Sequence, residues 1–238
     1  YYPPLGGPGT IKIVKHLKYM KESEWSPVVL TQRYNTFYVF DETLNNEVAG
    51  IPRYTFFSPD IGYFLNLFKK KKELKVDRRW LAERPVGLGQ KVQNFIWRHL
   101  LIPDGKILWV PFIVAAALKI ARKEKPEMIY VRLPVWSLAL ATVFIAKLSS
   151  IPVVLDFDDE WVDSMGDYFN HPWLRKKLEA LIERKAVESV DKVLCTTPGA
   201  NENFKRRYPS QPDDKFDFIT MGFDPDDFAD VKPARIVE

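Results

Sequence analysis

Residues 151–161 read IPVVLDFDDEW, an apolar run that passes into four acidic residues within five positions. The apolar part, which ends at Leu155, has the length and composition of a buried strand in a parallel sheet. In open α/β sheets, ligands bind beyond the carboxyl ends of the strands. This stretch therefore predicts both a central strand and one wall of a ligand site.

The same alternation of short apolar runs and amphipathic stretches continues on both sides. It predicts strands at 28–31, 128–131, 192–197 and 216–221, and helices at 9–24, 134–149, 171–190 and 198–208. Strands separated by helices of this length indicate right-handed βαβ units. We therefore predict an α/β fold, Rossmann-like and doubly wound, with a parallel sheet carrying helices on both faces. In the first helix, the pattern leaves Lys12 among the polar residues outside the apolar face.

Length and composition favour one large domain with a full core, because the chain has 238 residues of which 46% are hydrophobic. The longest apolar run, residues 107–118, contains Pro111 and is too short to span a bilayer. The single cysteine, Cys195, cannot form an internal disulfide, and the sequence shows no signal peptide. These features predict a cytoplasmic location.

Residues 50–110 interrupt the pattern, because they are aromatic and basic and lack a βαβ period. Within them, residues 66–80 carry seven basic and two acidic residues, although the formal net charge of the whole chain is only +4. Contact with an anionic membrane, contact with nucleic acid and a solvated helix end all fit this composition. Nothing resembles a nucleic-acid module, so we predict no nucleic-acid partner and favour contact with an anionic membrane surface. The residues predicted to contact the membrane are Phe64, Phe68, Lys69, Lys70, Lys71 and Lys72.

The chain opens with a glycine-rich segment, YYPPLGGPGT, that runs into the first helix. Gly6, Gly7 and Gly9 allow close backbone approach and positive φ at a helix start that attracts anions. Their spacing is not the dinucleotide fingerprint, which disfavours bound NAD. Ligand contact and a simple tight turn both remain open. Because no strand precedes the loop, we expect the first strand of the fold to be missing from the chain.

Three interpretations of the acidic run compete: hydrogen bonds to sugar hydroxyls, a metal-binding D-x-D and capping of the next helix. The first is favoured, with Asp158, Asp159 and Glu160 as its residues. Arg132 follows a predicted strand and could bind a phosphate or form a salt bridge with these acids.

The remaining candidate ligands carry little signal. His16, His99 and His171 lack the spacing of metal ligands and are predicted to be structural or solvated. Cys195 is predicted to be a buried thiol. We predict neither a metal nor a cofactor.

Several segments, in order along the chain, resemble the N-terminal domain of a glycosyltransferase family 4 enzyme of the GT-B fold. They are YPPLGG at 2–7, PVVLT at 27–31, IPD at 102–104, IPVVLDFDDEW at 151–161 and GFDPDDF at 222–228. One departure is Met221, which stands where the family usually has asparagine. The resemblance implies an acceptor-side domain at 1–222 and, at 223–238, an exit linker toward a donor-binding domain.

Such enzymes transfer a sugar from a nucleotide-sugar donor to a glycan or lipid-linked acceptor, with retained configuration and without an essential metal. The resemblance implies a role in cell-surface polysaccharide or glycoconjugate synthesis, peripheral on the cytoplasmic face of the membrane. It also implies that the fragment alone is inactive.

The site residues follow from the same resemblance. Gly6, Gly7 and Gly9 would line the donor-phosphate cleft, and Arg132, Asp158, Asp159 and Glu160 would orient the acceptor. The resemblance assigns no catalytic residue. The alternatives are a non-catalytic Rossmann-like module that binds a sugar or nucleotide, and a metal-dependent D-x-D transferase.

Overall fold

The computed structural model describes residues 2–33, 41–59, 99, 101–162 and 171–229. In chain order, the strands are β1 Val29–Gln32, β2 Arg53–Phe56, β3 Ile129–Arg132, β4 Val153–Phe157, β5 Lys192–Cys195 and β6 Phe216–Phe218. The helices are α1 Pro8–Glu22, α2 Leu44–Glu47, α3 Val110–Glu124, α4 Ser137–Leu148, α5 Trp173–Ser189 and α6 Pro198–Arg207. Short 3₁₀ turns lie at Ile107–Trp109, Asp213–Lys215 and Pro225–Phe228.

The larger sheet has the strand order β3-β4-β5-β6, and every neighbouring pair is parallel. A second parallel sheet pairs β1 with β2. Parallel sheets flanked by helices confirm the predicted α/β, Rossmann-like class. Because the strands are parallel, the residues that follow β3, β4 and β5 meet at one edge of the larger sheet.

The core forms around β4, which lies between two paired strands. Val153, Leu155 and Phe157 are at most 1% exposed. Full burial of one such side chain stabilises the fold by roughly 1.5–3 kcal/mol. The main core cluster also draws residues from α4, α5 and α6. The position of β4 therefore holds the acidic run firmly at the edge of the sheet.

The predicted element boundaries agree with the structure to within three residues. The largest shifts are at β6, which ends at Phe218 and not at 221, and at α4, which begins at Ser137 and not at 134. The prediction that residues 50–110 lack the βαβ pattern is wrong for Arg53–Phe56, which pairs in parallel with β1. This strand alternates between exposed and more buried residues over only four positions. So short a segment carries little periodic signal.

Part of the predicted exit linker folds back onto α1. Asp224 accepts hydrogen bonds from Lys18 and from the Tyr19 hydroxyl, and Lys15 Nζ lies 2.8 Å from its carboxylate. Residues 230–238 lie outside the described residues, as do Phe64, Phe68 and Lys69 to Lys72. None of the helices in the described parts of the chain is long and apolar enough to cross a membrane.

Candidate functional site

A polar cluster lies at the carboxyl edge of the larger sheet. Arg132 is the last residue of β3 and pairs in register with Asp156 of β4. Asp158 follows the end of β4, and its backbone carbonyl accepts a hydrogen bond from the Thr196 hydroxyl at 3.0 Å. Three neighbouring strands therefore contribute polar groups to one point, which we call the rim cluster.

The carboxylate of Asp158 lies at the centre of the rim cluster. Arg132 Nη2 donates to Oδ2 at 2.5 Å, and Lys12 Nζ of α1 donates to Oδ1 at 2.6 Å. Burial acts to raise the pKa of Asp158, but the hydrogen bonds from Arg132 and Lys12 outweigh it and lower the pKa. The acid is therefore ionised at neutral pH, with a cation on each oxygen.

The position of Lys12 corrects the sequence prediction. Lys12 was expected among the polar residues outside the apolar face of the first helix, yet it is only 6% exposed. A buried ammonium group requires a counter-ion, and Asp158 supplies it. The contact joins α1 to the rim cluster.

His16 lies one turn beyond Lys12 and is half-buried. Burial lowers its pKa, and the positive charges of Arg132 and Lys12 lower it further. The imidazole is therefore neutral at pH 7, within electrostatic reach of Asp156 and Asp158. His16 was predicted to be structural or solvated. Its i,i+4 spacing from Lys12 is the sequence feature that places the two side chains on one side of α1.

Arg132 keeps unused hydrogen-bonding capacity. Its Nε lies 3.9 Å from Asp156 Oδ2, and the Tyr130 hydroxyl donates to that same oxygen. Among the described residues, the buried Nε and Nη1 of Arg132 have no hydrogen-bond partner. The salt-bridge alternative for Arg132 is thus confirmed, and two donors remain unsatisfied.

The other predicted acids have different surroundings. Asp159 is exposed and makes no side-chain hydrogen bond to another described residue. Glu160 accepts from Asn203 Nδ2 at 2.8 Å and from Arg207 Nη2 at 3.1 Å, both on α6. The helix-capping alternative is wrong for α5, because its N-cap is Pro172. Glu160 therefore pairs with α6, whereas Lys12 and Arg132 pair with Asp158.

A buried carboxylate on α5 binds the loop that follows β4. Glu183 is 0% exposed and accepts from Arg207 Nη1 at 2.9 Å, from the Tyr208 hydroxyl at 2.5 Å and from the Val162 backbone N–H at 2.9 Å. Burial raises its pKa despite these bonds. The loop is also held by Trp161, which stacks on Trp136 at 4.9 Å.

The glycine loop forms the start of α1. Gly7 is the N-cap residue with φ 98° and ψ 167°, a conformation that requires glycine. Its carbonyl accepts from the N–H groups of Thr10 and Ile11, both at 3.0 Å. A Cβ at Gly7 would meet no atom within 4 Å, so conformation and not space selects the glycine. The tight-turn alternative is confirmed, while ligand contact by Gly6, Gly7 and Gly9 stays a prediction.

The remaining candidates do not form a site. Cys195 is 2% exposed, which confirms the buried thiol, and burial raises its pKa to about 11. His171 Nδ1 lies 2.8 Å from Glu179, and His99 is exposed. Within the part of the chain that the structure describes, no three His, Cys, Asp or Glu side chains form a group that could hold a metal ion.

Comparison with known families shows to which family the sequence belongs. The sequence profile described as Glycosyltransferase Family 4 matches residues 16–227, well over half of the chain. The chain belongs to glycosyltransferase family 4. The matched range begins at His16 and includes Arg132 and the whole acidic run, whereas Gly6 to Gly9 and Lys12 precede it. A comparison with curated proteins finds no match.

Proposed function

We propose that this family 4 domain binds the acceptor in a glycosyltransferase that moves a sugar from a nucleotide-sugar donor to a glycan or lipid-linked acceptor. The proposed reaction retains configuration, needs no metal or cofactor, and serves cell-surface polysaccharide or glycoconjugate synthesis. The proposal rests on one observation: the buried Nε and Nη1 of Arg132 have no hydrogen-bond partner among the described residues, and Arg132 contacts Asp158 at the carboxyl edge of the sheet.

The charge balance of the rim cluster suits a neutral or singly anionic oxygen ligand. Lys12 and Arg132 face Asp156 and Asp158, so two cations meet two carboxylates. A sugar hydroxyl can both donate to a carboxylate and accept from a guanidinium. In the proposed complex, Asp158 and the exposed Asp159 accept from acceptor hydroxyls, and Arg132 donates to an acceptor or phosphate oxygen.

The role proposed for Glu160 is different. Because Glu160 makes two hydrogen bonds to α6, we propose that it positions the loop that carries Asp158 and Asp159. The glycine loop, residues 6–9, is proposed to approach the donor phosphates. It precedes α1, whose Lys12 reaches Asp158, so the loop and the rim cluster are coupled through one helix.

The metal-dependent alternative would require free carboxylate oxygens in the D-x-D run. Both oxygens of Asp158 accept from cations, and Asp156 accepts from Tyr130. A divalent ion on Asp158 would lie beside the ammonium of Lys12 and the guanidinium of Arg132, and their positive charges would repel it. The pairing therefore favours the metal-independent reaction.

The test incubates the intact protein with labelled nucleotide sugars and an extract of membrane lipids and glycans. Transfer of label to an acceptor that persists in excess EDTA is the expected result. Transfer that EDTA abolishes and Mn²⁺ restores would instead support the D-x-D alternative. Binding of a nucleotide sugar without transfer to any acceptor would support the non-catalytic module.

A further inference from the structure

The outward side of α5 carries large apolar side chains that a solvated helix would not expose. Trp173, Leu174, Leu178 and Leu181 are 68%, 58%, 38% and 47% exposed. The three leucines are spaced i, i+4 and i+7, so they form one stripe on the helix. Contiguous exposed apolar surface of this kind marks an interaction site.

Basic side chains accompany this stripe. Lys177, Arg184 and Lys185 are exposed on the same side, and the only acid among them, Glu188, pairs with Lys185 at 2.7 Å. The other two acids of the helix, Glu179 and Glu183, are 0% exposed on the inner side. Burial of those acids leaves the outer side positively charged. We call it the outer face of α5, formed by Trp173, Leu174, Lys177, Leu178, Leu181, Arg184, Lys185 and Glu188.

The neighbouring helix extends this surface. α4 packs against α5, and its Phe144 and Leu148 are 44% and 62% exposed, with Lys147 also exposed. At the start of α5, the ammonium of Lys177 lies 4.4 Å from the centre of the Trp173 ring. A shallow pocket of about 340 Å³ opens there, lined by His171, Trp173, Lys176, Lys177 and Ala180.

We infer that the outer face of α5 docks on an anionic lipid surface. An interfacial helix places tryptophan and leucine at the acyl boundary and lysine and arginine among the headgroups, which is the composition of this face. A protein partner fits less well, because the cores of protein interfaces are depleted in lysine. The pocket beside Trp173 and Lys177 offers a basic, aromatic recess to a lipid headgroup.

This docking would bring the rim cluster close to the membrane. In a parallel βαβ unit, the helix begins at the carboxyl edge of the sheet, so the Trp173 end of α5 lies on the side of Asp158. Membrane attachment by this face does not depend on the proposed reaction, because vesicle binding is measured without donor or acceptor.

The test sediments the chain with phosphatidylcholine vesicles, alone or mixed with phosphatidylserine, at low and high salt. We expect binding to the mixed vesicles that weakens in salt. Lys177→Glu/Arg184→Glu should lower the partition coefficient by about tenfold or more. Leu174→Ser/Leu181→Ser should lower it several-fold. All four side chains are exposed, so the variants should keep the unfolding midpoint of the wild type.

The comparison variant is Lys69→Glu/Lys71→Glu, in the other basic segment of the chain. Loss of binding in this variant, with normal binding by Lys177→Glu/Arg184→Glu, would overturn the inference. Failure of the wild-type chain to bind anionic vesicles at low salt would also overturn the inference, and would instead favour a protein partner for the outer face of α5. As a second measurement, quenching by brominated lipid should fall in Trp173→Phe, and unchanged quenching would also count against docking.

Discussion

Lys12 Nζ of the first helix lies 2.6 Å from Oδ1 of Asp158, although 146 residues separate the two in the chain. This contact joins the start of the molecule to the carboxyl edge of the larger sheet. It also places Lys12 and Arg132, each with a side chain 5% exposed, on the two oxygens of the Asp158 carboxylate.

The first prediction is an asymmetry between the two partners. Asp158→Asn should cost about 3–5 kcal/mol of unfolding free energy, because two buried cations lose their carboxylate. Lys12→Met should cost less, about 1.5–3 kcal/mol, because Asp158 keeps Arg132. Urea unfolding measures both, and Asp159→Asn, at an exposed position, is the control that should stay within about 0.5 kcal/mol. Equal costs for the two variants would contradict the arrangement.

The pH dependence of stability follows from the same carboxylate. The folded pKa of Asp158 lies below its ordinary value of 3.8, so the folded protein binds this proton more weakly than the unfolded chain does. Its contribution is therefore complete above about pH 4 and is lost as the pH falls through the folded pKa. Asp158→Asn should flatten the acid limb of the stability curve.

The second prediction concerns the start of α1. Gly7→Ala should destabilise the fold by about 1–3 kcal/mol, since φ 98° strains any side chain although the space around a Cβ is open. Gly199→Ala is the matched control, because its Cβ also meets nothing within 4 Å and it lies in the helix α6. That control should be neutral or stabilising, by up to about 1 kcal/mol. Thermal unfolding of the pair separates strain from steric conflict.

The sequence predicted those features whose signals are local. The strand β4 and its acidic run lie within eleven consecutive residues. The helical periodicity on both sides of β4 predicted βαβ units, and so predicted that the acidic run lies at the carboxyl edge of the sheet. The salt bridge of Arg132 with the acids was also foreseen as an alternative, because both follow predicted strands that lie side by side in a parallel sheet.

Features that depend on distant partners were not predicted. The local sequence predicts that Lys12 is a solvated residue on the polar side of a helix. Its burial is made favourable by Asp158, which lies far along the chain. Glu160 reads as a ligand-facing acid, but Asn203 and Arg207 on a later helix bind it. Local patterns assign a charged residue to the surface, and they carry no information about a counter-ion that tertiary packing supplies.

The third prediction concerns the buried carboxylate under the loop. Glu183→Ala should cost about 3–5 kcal/mol, because the Arg207 guanidinium, the Tyr208 hydroxyl and the Val162 N–H lose their acceptor. Glu188→Ala, on the same helix and exposed, should change stability by less than about 0.5 kcal/mol. Chemical denaturation measures the unfolding free energy of both variants. Similar losses of stability in the two would show that Glu183 does not support the loop after β4.

The sign of the pH effect is reversed at Glu183. Burial raises its folded pKa above 4.5, so the folded protein holds this proton more tightly than the unfolded chain. The resulting stability is fully present below the unfolded pKa and is lost as the pH rises through the folded pKa. Glu183→Gln should remove this decline, which pH-dependent urea titration can measure.

The fourth prediction concerns the segment that returns to α1. Hydrogen bonds from Lys15 and Lys18 lower the pKa of Asp224, so the carboxylate stays ionised in mild acid. Asp224→Asn should speed amide hydrogen exchange at Asp226, Asp227 and Phe228 while leaving exchange in β4 unchanged. Asp227→Asn is the control, since the Asp227 carboxylate pairs with Lys15 and its side chain is 48% exposed. Equal exchange in both variants would show that Asp224 does not hold the segment.

The most direct test of the proposed function is sugar transfer by the intact protein carrying Arg132→Lys, measured beside the wild type and Arg122→Lys. Lysine keeps a cation near Asp158 but lacks the donors Nε and Nη1 of arginine. We predict that Arg132→Lys lowers kcat/KM by about tenfold or more, the effect of roughly one lost charged hydrogen bond. The exposed Arg122→Lys should match the wild type. Transfer by Arg132→Lys at the wild-type rate would contradict a role for the rim cluster in glycosyl transfer.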